Sequence, residues 1–406
     1  MILDTPWSTD LDWPAGLKPF DPFDTQIQSD PYAHYAWLRE HAPVVRGGQA
    51  DAPLYIVSRF HDVTESLRNA SDFSSLPRRD IIIPGFLLNS DPPDHTRLRQ
   101  SASRAFSPRA IAAVEPVIAD LIKARWQPLL NAGGGEVIGS FASPLTIAVI
   151  ATVLGIPVSQ SKTMRDWTTA IIDYVGMLFR GVPNATANDH ALKEMFAYVN
   201  AVFDDVDADQ GETVVANLAR LRDEGVLSAE EAAGFACQLF MAGHETTTLL
   251  TGNCLDFLSV NPDIFESLRE PDAIPKFLDE MLRYRPPVHR LTRYTTRDVE
   301  IAGHRIPAGA SVRLLIASAN RDPAKFADPD TFDPTRNNAA HAGFGYGIHM
   351  CIGSWLAKLE VRLMLETLAA TTATIAPDAR WPRQPLAGGA FATVGLHSLG
   401  LRVTPL

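Results

Sequence analysis

One cysteine set between glycines carries the most chemistry in this chain. Cys351 lies in the run Phe344-Gly345-Tyr346-Gly347-Ile348-His349-Met350-Cys351-Ile352-Gly353, at the head of an apolar stretch ending at Leu368 that reads as a helix. Gly345 and Gly347 withdraw side chains from the path of a flat partner and permit backbone angles closed to other residues. A sulfur at a helix start faces unsatisfied N–H groups and the positive end of the helix dipole, which favour thiolate over thiol. The spacing therefore predicts an anionic sulfur ligand in an apolar, glycine-lined loop. The other cysteines, Cys237 and Cys254, form no CxxC pair or zinc spacing with it. Neither a disulfide framework nor a structural metal follows, and a reducing compartment suits all three.

Three further groupings could do chemistry. His95 and Arg99 stand at i and i+4 in Asp91-Pro-Pro-Asp-His-Thr-Arg-Leu-Arg99, an acid-and-proline helix start, and would share a face. Two such donors suit a carboxylate. Glu245 and Thr246 sit in Ala242-Gly-His-Glu-Thr-Thr247, inside a helix that begins at Ser228 with Glu230 and Glu231 in its first turn. Phe235 to Gly243 is apolar nearly all round, so this helix must cross the interior. Glycine and hydroxyls that bond back to a carbonyl weaken the ladder there, and a local opening that admits oxygen and water is expected. Glu280 and Arg283, three residues apart, place an acid and a base on one helix face.

Phe344-x-x-Gly347-x-His349-x-Cys351-x-Gly353 resembles the haem-ligand signature of the cytochrome P450 family, the haem-thiolate monooxygenases. Ahead of it, Glu280-x-x-Arg283, the segment from Arg293 to Glu300, Ile306-Pro-Ala-Gly309, Asn320-Arg-Asp-Pro323 and Phe332-Asp-Pro-Thr-Arg336 match in the same order. The resemblance covers nearly the whole chain, most clearly from residue 228 onward. It implies a mainly α fold with a smaller β portion (α+β), as one domain over residues 1–406 with an extended lead-in at 1–30.

It also implies haem b as cofactor, with Cys351 as the iron ligand. Phe344, Gly345, Gly353 and Ala242 would lie against the ring, and His95, Arg99, Arg293 and His349 around its propionates. Thr246 and Glu245 would supply protons, and Glu280, Arg283 and Arg336 would form a structural ionic cluster. The family's substrate-contacting segments fall on the loop from Ile83 to Leu88, on Gln238, Met241 and Ala242, on Val288 and His289, and on Ala392 and Thr393. Most of these are apolar, which suits an apolar molecule of modest size. Gln238 and His289 are the polar exceptions, available to an oxygen function on the substrate, to water, to backbone or to a propionate.

Composition agrees with an enzyme of this kind. The chain has 406 residues, 46% of them apolar and 20% charged, enough for a large core. A net charge of −11 argues against nucleic acid, whose phosphates need clustered Lys and Arg. Neither a signal peptide nor an apolar membrane span is present in the sequence, so cytoplasmic localisation with no membrane contact is expected. The pattern predicts paired strands at 44–48 and 54–58, helices at 31–40, 60–69 and 110–130, one ending before Gly155, and a pair flanking Gly181-Val-Pro-Asn184.

Further helices are expected at 262–269 and 273–284, and strands at 299–301, 311–316 and 399–403. No flavin or iron–sulfur module is fused, so electrons from NAD(P)H would come from outside, and the resemblance implies a separate reductase and ferredoxin as their route. Arg104, Arg109, Lys358 and Arg362 lie in elements that the resemblance implies are on the thiolate side, where they could steer such an acidic partner. Two other functions compete: a peroxygenase of the same fold using hydrogen peroxide, which has less need of Thr246, and a haem protein that only senses or carries a gas.

Overall fold

A computed structural model describes residues 11–22, 24–49, 52–76, 85–106, 108–179, 186–205, 213–336, 340–386 and 393–406. Helix dominates, and the fold is organised around the central helix Ala229–Ser259. Its start is fixed by a reciprocal cap: the Ser228 hydroxyl accepts from the Glu231 amide at 3.1 Å, and the Glu231 carboxylate accepts from the Ser228 amide at 2.9 Å. Ala232 to Phe240 and Thr247 to Ser259 are buried, as the apolar circumference demands. The helix Ser143–Leu154 packs beside it and stops at Gly155, whose φ of +86° places it in the left-handed region.

Around this pair stand the helices Asp94–Ala105, Pro108–Asn131, Ser161–Phe179, Thr186–Asp205, Ala273–Tyr284 and Ser354–Thr371. The last of these, the cysteine-loop helix, packs on Pro108–Asn131, on Ala273–Tyr284 and on the central helix. The strands expected at 44–48, 54–58 and 311–316 join two not expected, Arg290–Thr295 and Phe73–Ser74, in a five-stranded sheet of order Val44–Gln49, Ala52–Val57, Ser311–Leu315, Arg290–Thr295, Phe73–Ser74. Among the described residues of this sheet, the Ala52–Val57 and Ser311–Leu315 pair alone is parallel, with Leu54 opposite Ser311. A second sheet joins Gly134–Glu136, Gly400–Pro405 and Thr372–Pro377. The α+β class is therefore as expected.

Two local expectations need correction. The lead-in contains a short helix, Thr25–Ser29, because the Asp24 carboxylate accepts from the Gln26 and Ile27 amides at 2.7 and 3.3 Å. The central helix runs unbroken through Ala242 to Thr247. Thr246 and Thr247 do bond back to the Ala242 and Gly243 carbonyls, at 2.9 and 3.0 Å, but these bonds add to the backbone ladder and do not open it. Among the described residues no helix is long and apolar enough to cross a membrane.

Candidate functional site

Cys351 lies three residues ahead of the cysteine-loop helix, which is capped at Gly353. The loop is closed by its own backbone: the Cys351 amide donates to the Phe344 carbonyl at 2.9 Å and the Gly345 amide to the Ala342 carbonyl at 2.8 Å. The two loop glycines serve different ends. Gly347, at φ +70°, lies where a Cβ would stand 2.4 Å from the Leu67 carbonyl oxygen, so it is required by the neighbouring helix Phe60–Arg68. A Cβ on Gly345, at φ +74°, would meet only Leu291, at 3.8 Å, leaving that face open to a flat partner.

The thiol of Cys351 is walled by protein yet reachable by solvent. Burial raises its pKa, offset in part by the Gly353 amide and the Arg99 charge. Desolvation thus outweighs the helix-start effect expected from sequence, and the anionic sulfur requires a cation opposite it. Cys237 and Cys254 are fully buried in the central helix, where desolvation holds both thiols far above their ordinary value.

Four cationic or donor groups gather near Cys351. His95 and Arg99 share a face of the helix Asp94–Ala105, Arg293 lies in the strand Arg290–Thr295, and His349 is in the cysteine loop. The rings of His95 and His349 are 4.2 Å apart. Burial, then repulsion from Arg293, His95 and Arg99, lowers the His349 pKa to about 3. Burial followed by the Arg99 charge lowers His95, and burial lowers Arg293 to about 10. Asp91 opposes the shifts of His95 and Arg293, but it is itself tied to Ser74 and to the Ser75 amide.

His349 is held by the Ser75 hydroxyl at 3.0 Å and by the Ser90 backbone, whereas the buried Nε2 of His95 has no hydrogen-bond partner among the described residues. Crowded cations around an orphaned imidazole nitrogen suit a dianionic carboxylate-bearing group. Facing outward at mid-length of the otherwise buried central helix are Met241, Ala242, Glu245 and Thr246. Thiol, open glycine face, cation cluster and the partly open helix face at Ala242 together fit a haem.

The expected ionic cluster is present and buried. Arg283 and Glu280 are both 0% exposed and paired through two bonds of 2.7 and 2.8 Å. Arg283 also donates to the carbonyls of Asn320, Pro329 and Thr331, and Glu280 accepts from the Asp333 amide. Arg336 stands 3.6 Å from Glu280, an ion pair without a hydrogen bond. Asn320 extends the cluster toward the cysteine loop by accepting from the Ala342 amide at 2.6 Å.

The pocket residues divide. Val288 and Thr393 meet in an antiparallel bridge, and the Thr393 hydroxyl donates to Glu245 at 3.1 Å. Leu88 is exposed at 51% at the end of a loop whose inner residues Phe86 and Leu87 are buried. Ile83 and Ala392 lie outside the described residues. Gln238 is buried, with its carbonyl oxygen accepting from the Leu87 amide at 2.7 Å, so it tethers that loop to the central helix.

His289 does not fit a substrate-contacting position. It is buried beside Tyr32 and Tyr35 of the helix Tyr32–His41, with Nδ1 3.4 Å from the Tyr35 hydroxyl and a pKa lowered by burial to about 3. The steering cations are also altered by their neighbours: Lys358 pairs with Asp279 at 2.6 Å, and Arg362 with Glu115 and Glu366 at 2.8 and 2.7 Å. The Arg104 and Arg109 side chains lie outside the described residues.

Sequence reasoning missed Glu360. Leu356, Glu360, Leu363 and Met364 recur on the buried stripe of the cysteine-loop helix, so an acid at i+4 of an apolar face was the available signal. Glu360 Oε1 has no hydrogen-bond partner among the described residues, and burial raises its carboxyl from 4.5 to about 8. The folded chain then keeps a proton that the unfolded chain releases, so stability falls as pH rises from 4.5 toward 8. Glu360→Gln is expected to remove this fall, adding about 3 kcal/mol at pH 7 and nothing near pH 4. Urea unfolding followed by circular dichroism at both values measures it; equal gains at the two would remove the titration.

Known proteins bear on this arrangement. The Cytochrome P450 family profile matches residues 273–370. Erythromycin C-12 hydroxylase of Saccharopolyspora erythraea is 36% identical over 370 residues, spanning 86% of this chain and 90% of its own. The crystal structure of CalO2 superposes with a TM-score of 0.84 at 31% identity, covering 96% of this chain and 100% of its own. That of CYP109E1 from Bacillus megaterium in complex with testosterone gives 0.84 at 29% identity, covering 93% and 99%. Sequence, fold and site thus place this chain in the cytochrome P450 family, as an oxidoreductase of the haem-thiolate monooxygenase type.

Proposed function

We propose that this protein inserts one oxygen atom of dioxygen into an apolar small organic substrate, by C–H hydroxylation or a related oxidation. Reduced nicotinamide would supply electrons through a separate reductase and ferredoxin, in the cytoplasm. The whole chain 1–406 acts as one domain in this reading. The observation that carries it is the gathering of the His95, Arg99, Arg293 and His349 cluster beside Cys351. Haem b, when bound, supplies activation of dioxygen by two external electrons and transfer of one oxygen atom to carbon.

The chain's own residues do the rest. Cys351 donates negative charge from its thiolate, and Arg99 with His95 and Arg293 neutralises carboxylates. Phe344, Gly345 and Gly353 on one side and Ala242 on the other would flank a flat ring, and the space beside Gly345 is open for it. Met241, Val288, Leu88 and Thr393 offer mainly apolar contact, and the engagement of Gln238 and the burial of His289 leave substrate orientation to shape. Ile348, Met350 and Trp355, exposed at 36, 50 and 72% and close to Cys351 in the chain, would offer apolar contact to the electron donor. With Lys358 and Arg362 already paired, apolar contact counts for more there than steering.

Proton supply falls to Thr246 and Glu245. The Thr246 hydroxyl, parked on the Ala242 carbonyl, must turn away from it to hold a proton toward the pocket. His244 is excluded: it is buried beside Phe240, and burial lowers its pKa to about 4. Thr246→Ala is expected to keep consuming NADH in a reconstituted system while product per NADH falls about tenfold and hydrogen peroxide rises. Unchanged coupling would transfer the role elsewhere. Equal product from hydrogen peroxide alone would favour the peroxygenase reading.

A further inference from the structure

The proton-handling acid is held from outside its own helix. Thr393, 9% exposed, donates its hydroxyl to Glu245 Oε1 at 3.1 Å. The chain around Thr393 is itself fixed: Val394 donates to the Pro287 carbonyl at 2.9 Å, and Thr393 bridges Val288. Two residues on, Gly395 presses on Leu249, where an added Cβ would stand 2.5 Å from the leucine side chain. Glu245 and Leu249 are one helical turn apart, about 5.4–6 Å, and Thr393 and Gly395 are one extended repeat apart, about 6.6 Å. An extended segment therefore runs along the central helix in register, with Thr393 opposite Glu245 and Gly395 opposite Leu249.

We propose that Thr393 is a positioning residue for Glu245: its hydroxyl selects the carboxylate rotamer and ties it to the chain segment that also carries Val288. The inference rests on the proton role given to Glu245 above. The acid's direction is then set by the pocket wall, and a ligand that moves residues 393 and 288 moves the carboxylate with them. Thr246 takes no part in this restraint, because its hydroxyl is bonded to Ala242.

Thr393→Val keeps the shape and removes the donor, and Thr393→Ser keeps the donor. In the holoenzyme, the infrared carboxylate band that disappears in Glu245→Gln is expected to shift in Thr393→Val and to return in Thr393→Ser. Product per NADH should drop about fivefold in the valine variant, recover with serine, and change its pH profile. An unmoved band in Thr393→Val overturns the proposal, as does a serine variant that fails to restore it. A shifted band in a protein that forms no product with any donor leaves the positioning intact and removes the proposed function. Ready product formation with an unmoved band does the reverse.

Discussion

Replacing Cys351 by histidine is expected to abolish oxygen insertion while leaving a folded, haem-binding protein whose carbon monoxide complex loses the absorption of thiolate ligation. Cys351 alone among the cysteines is open to a partner; Cys237 and Cys254 are sealed in the central helix with their thiols raised by burial. Histidine still offers a nitrogen to iron but no negative charge, so the electron push that a thiolate gives is lost. The loss should exceed the about 10–100-fold typical of changes to groups that merely support a ligand. Because burial disfavours the Cys351 thiolate in the protein alone, sulfur ionisation and iron ligation must be coupled. Cys237→Ala and Cys254→Ala should retain the native spectrum. A histidine-type spectrum in the unmodified protein would remove the assignment.

What could be read from sequence was whatever rests on local chemistry. The Ser228 and Glu231 cap, the apolar circumference of the central helix and the glycine stop at 155 are encoded within a few residues, and all three stand where the pattern puts them. The Glu280 and Arg283 pair was legible for the same reason. What failed depends on neighbours far along the chain. The resemblance puts Val288 and His289 at the substrate without saying that Tyr32 and Tyr35 cover the imidazole.

The Gln238 amide marks a polar group on an interior helix, but its partner, the Leu87 amide, is 151 positions away. The helix-start argument for Cys351 contains the N–H groups and omits desolvation, which is a property of the assembled loop. Lys358 and Arg362 look free in sequence until Asp279 and Glu115 arrive from other helices. Ion pairing and burial are tertiary facts, absent from any local pattern of residues.

The second large effect expected is on folding, from Glu280→Ala. The Glu280 carboxylate is enclosed and satisfies four neighbours: the Nε and Nη2 of Arg283, the Asp333 amide and the Arg336 charge. Removing it leaves Arg283 with its carbonyl partners Asn320, Pro329 and Thr331 but with no counter-charge from Glu280. An uncompensated buried charge costs about 3–5 kcal/mol, a large part of the about 5–15 kcal/mol that holds a typical protein folded. The damage should reach the cysteine loop, since Arg283 grips the Asn320 backbone and the Asn320 side chain holds the Ala342 amide.

Glu280→Ala is therefore expected to accumulate as haem-poor or insoluble protein. Glu280→Gln, which keeps an acceptor for the Asp333 amide and for one Arg283 nitrogen, should lie between it and the unmodified chain. Haem content per polypeptide and the urea midpoint, measured on all three, decide the matter. An alanine variant with full haem content and a stability within about 1 kcal/mol of the parent would show that the cluster does not hold the loop.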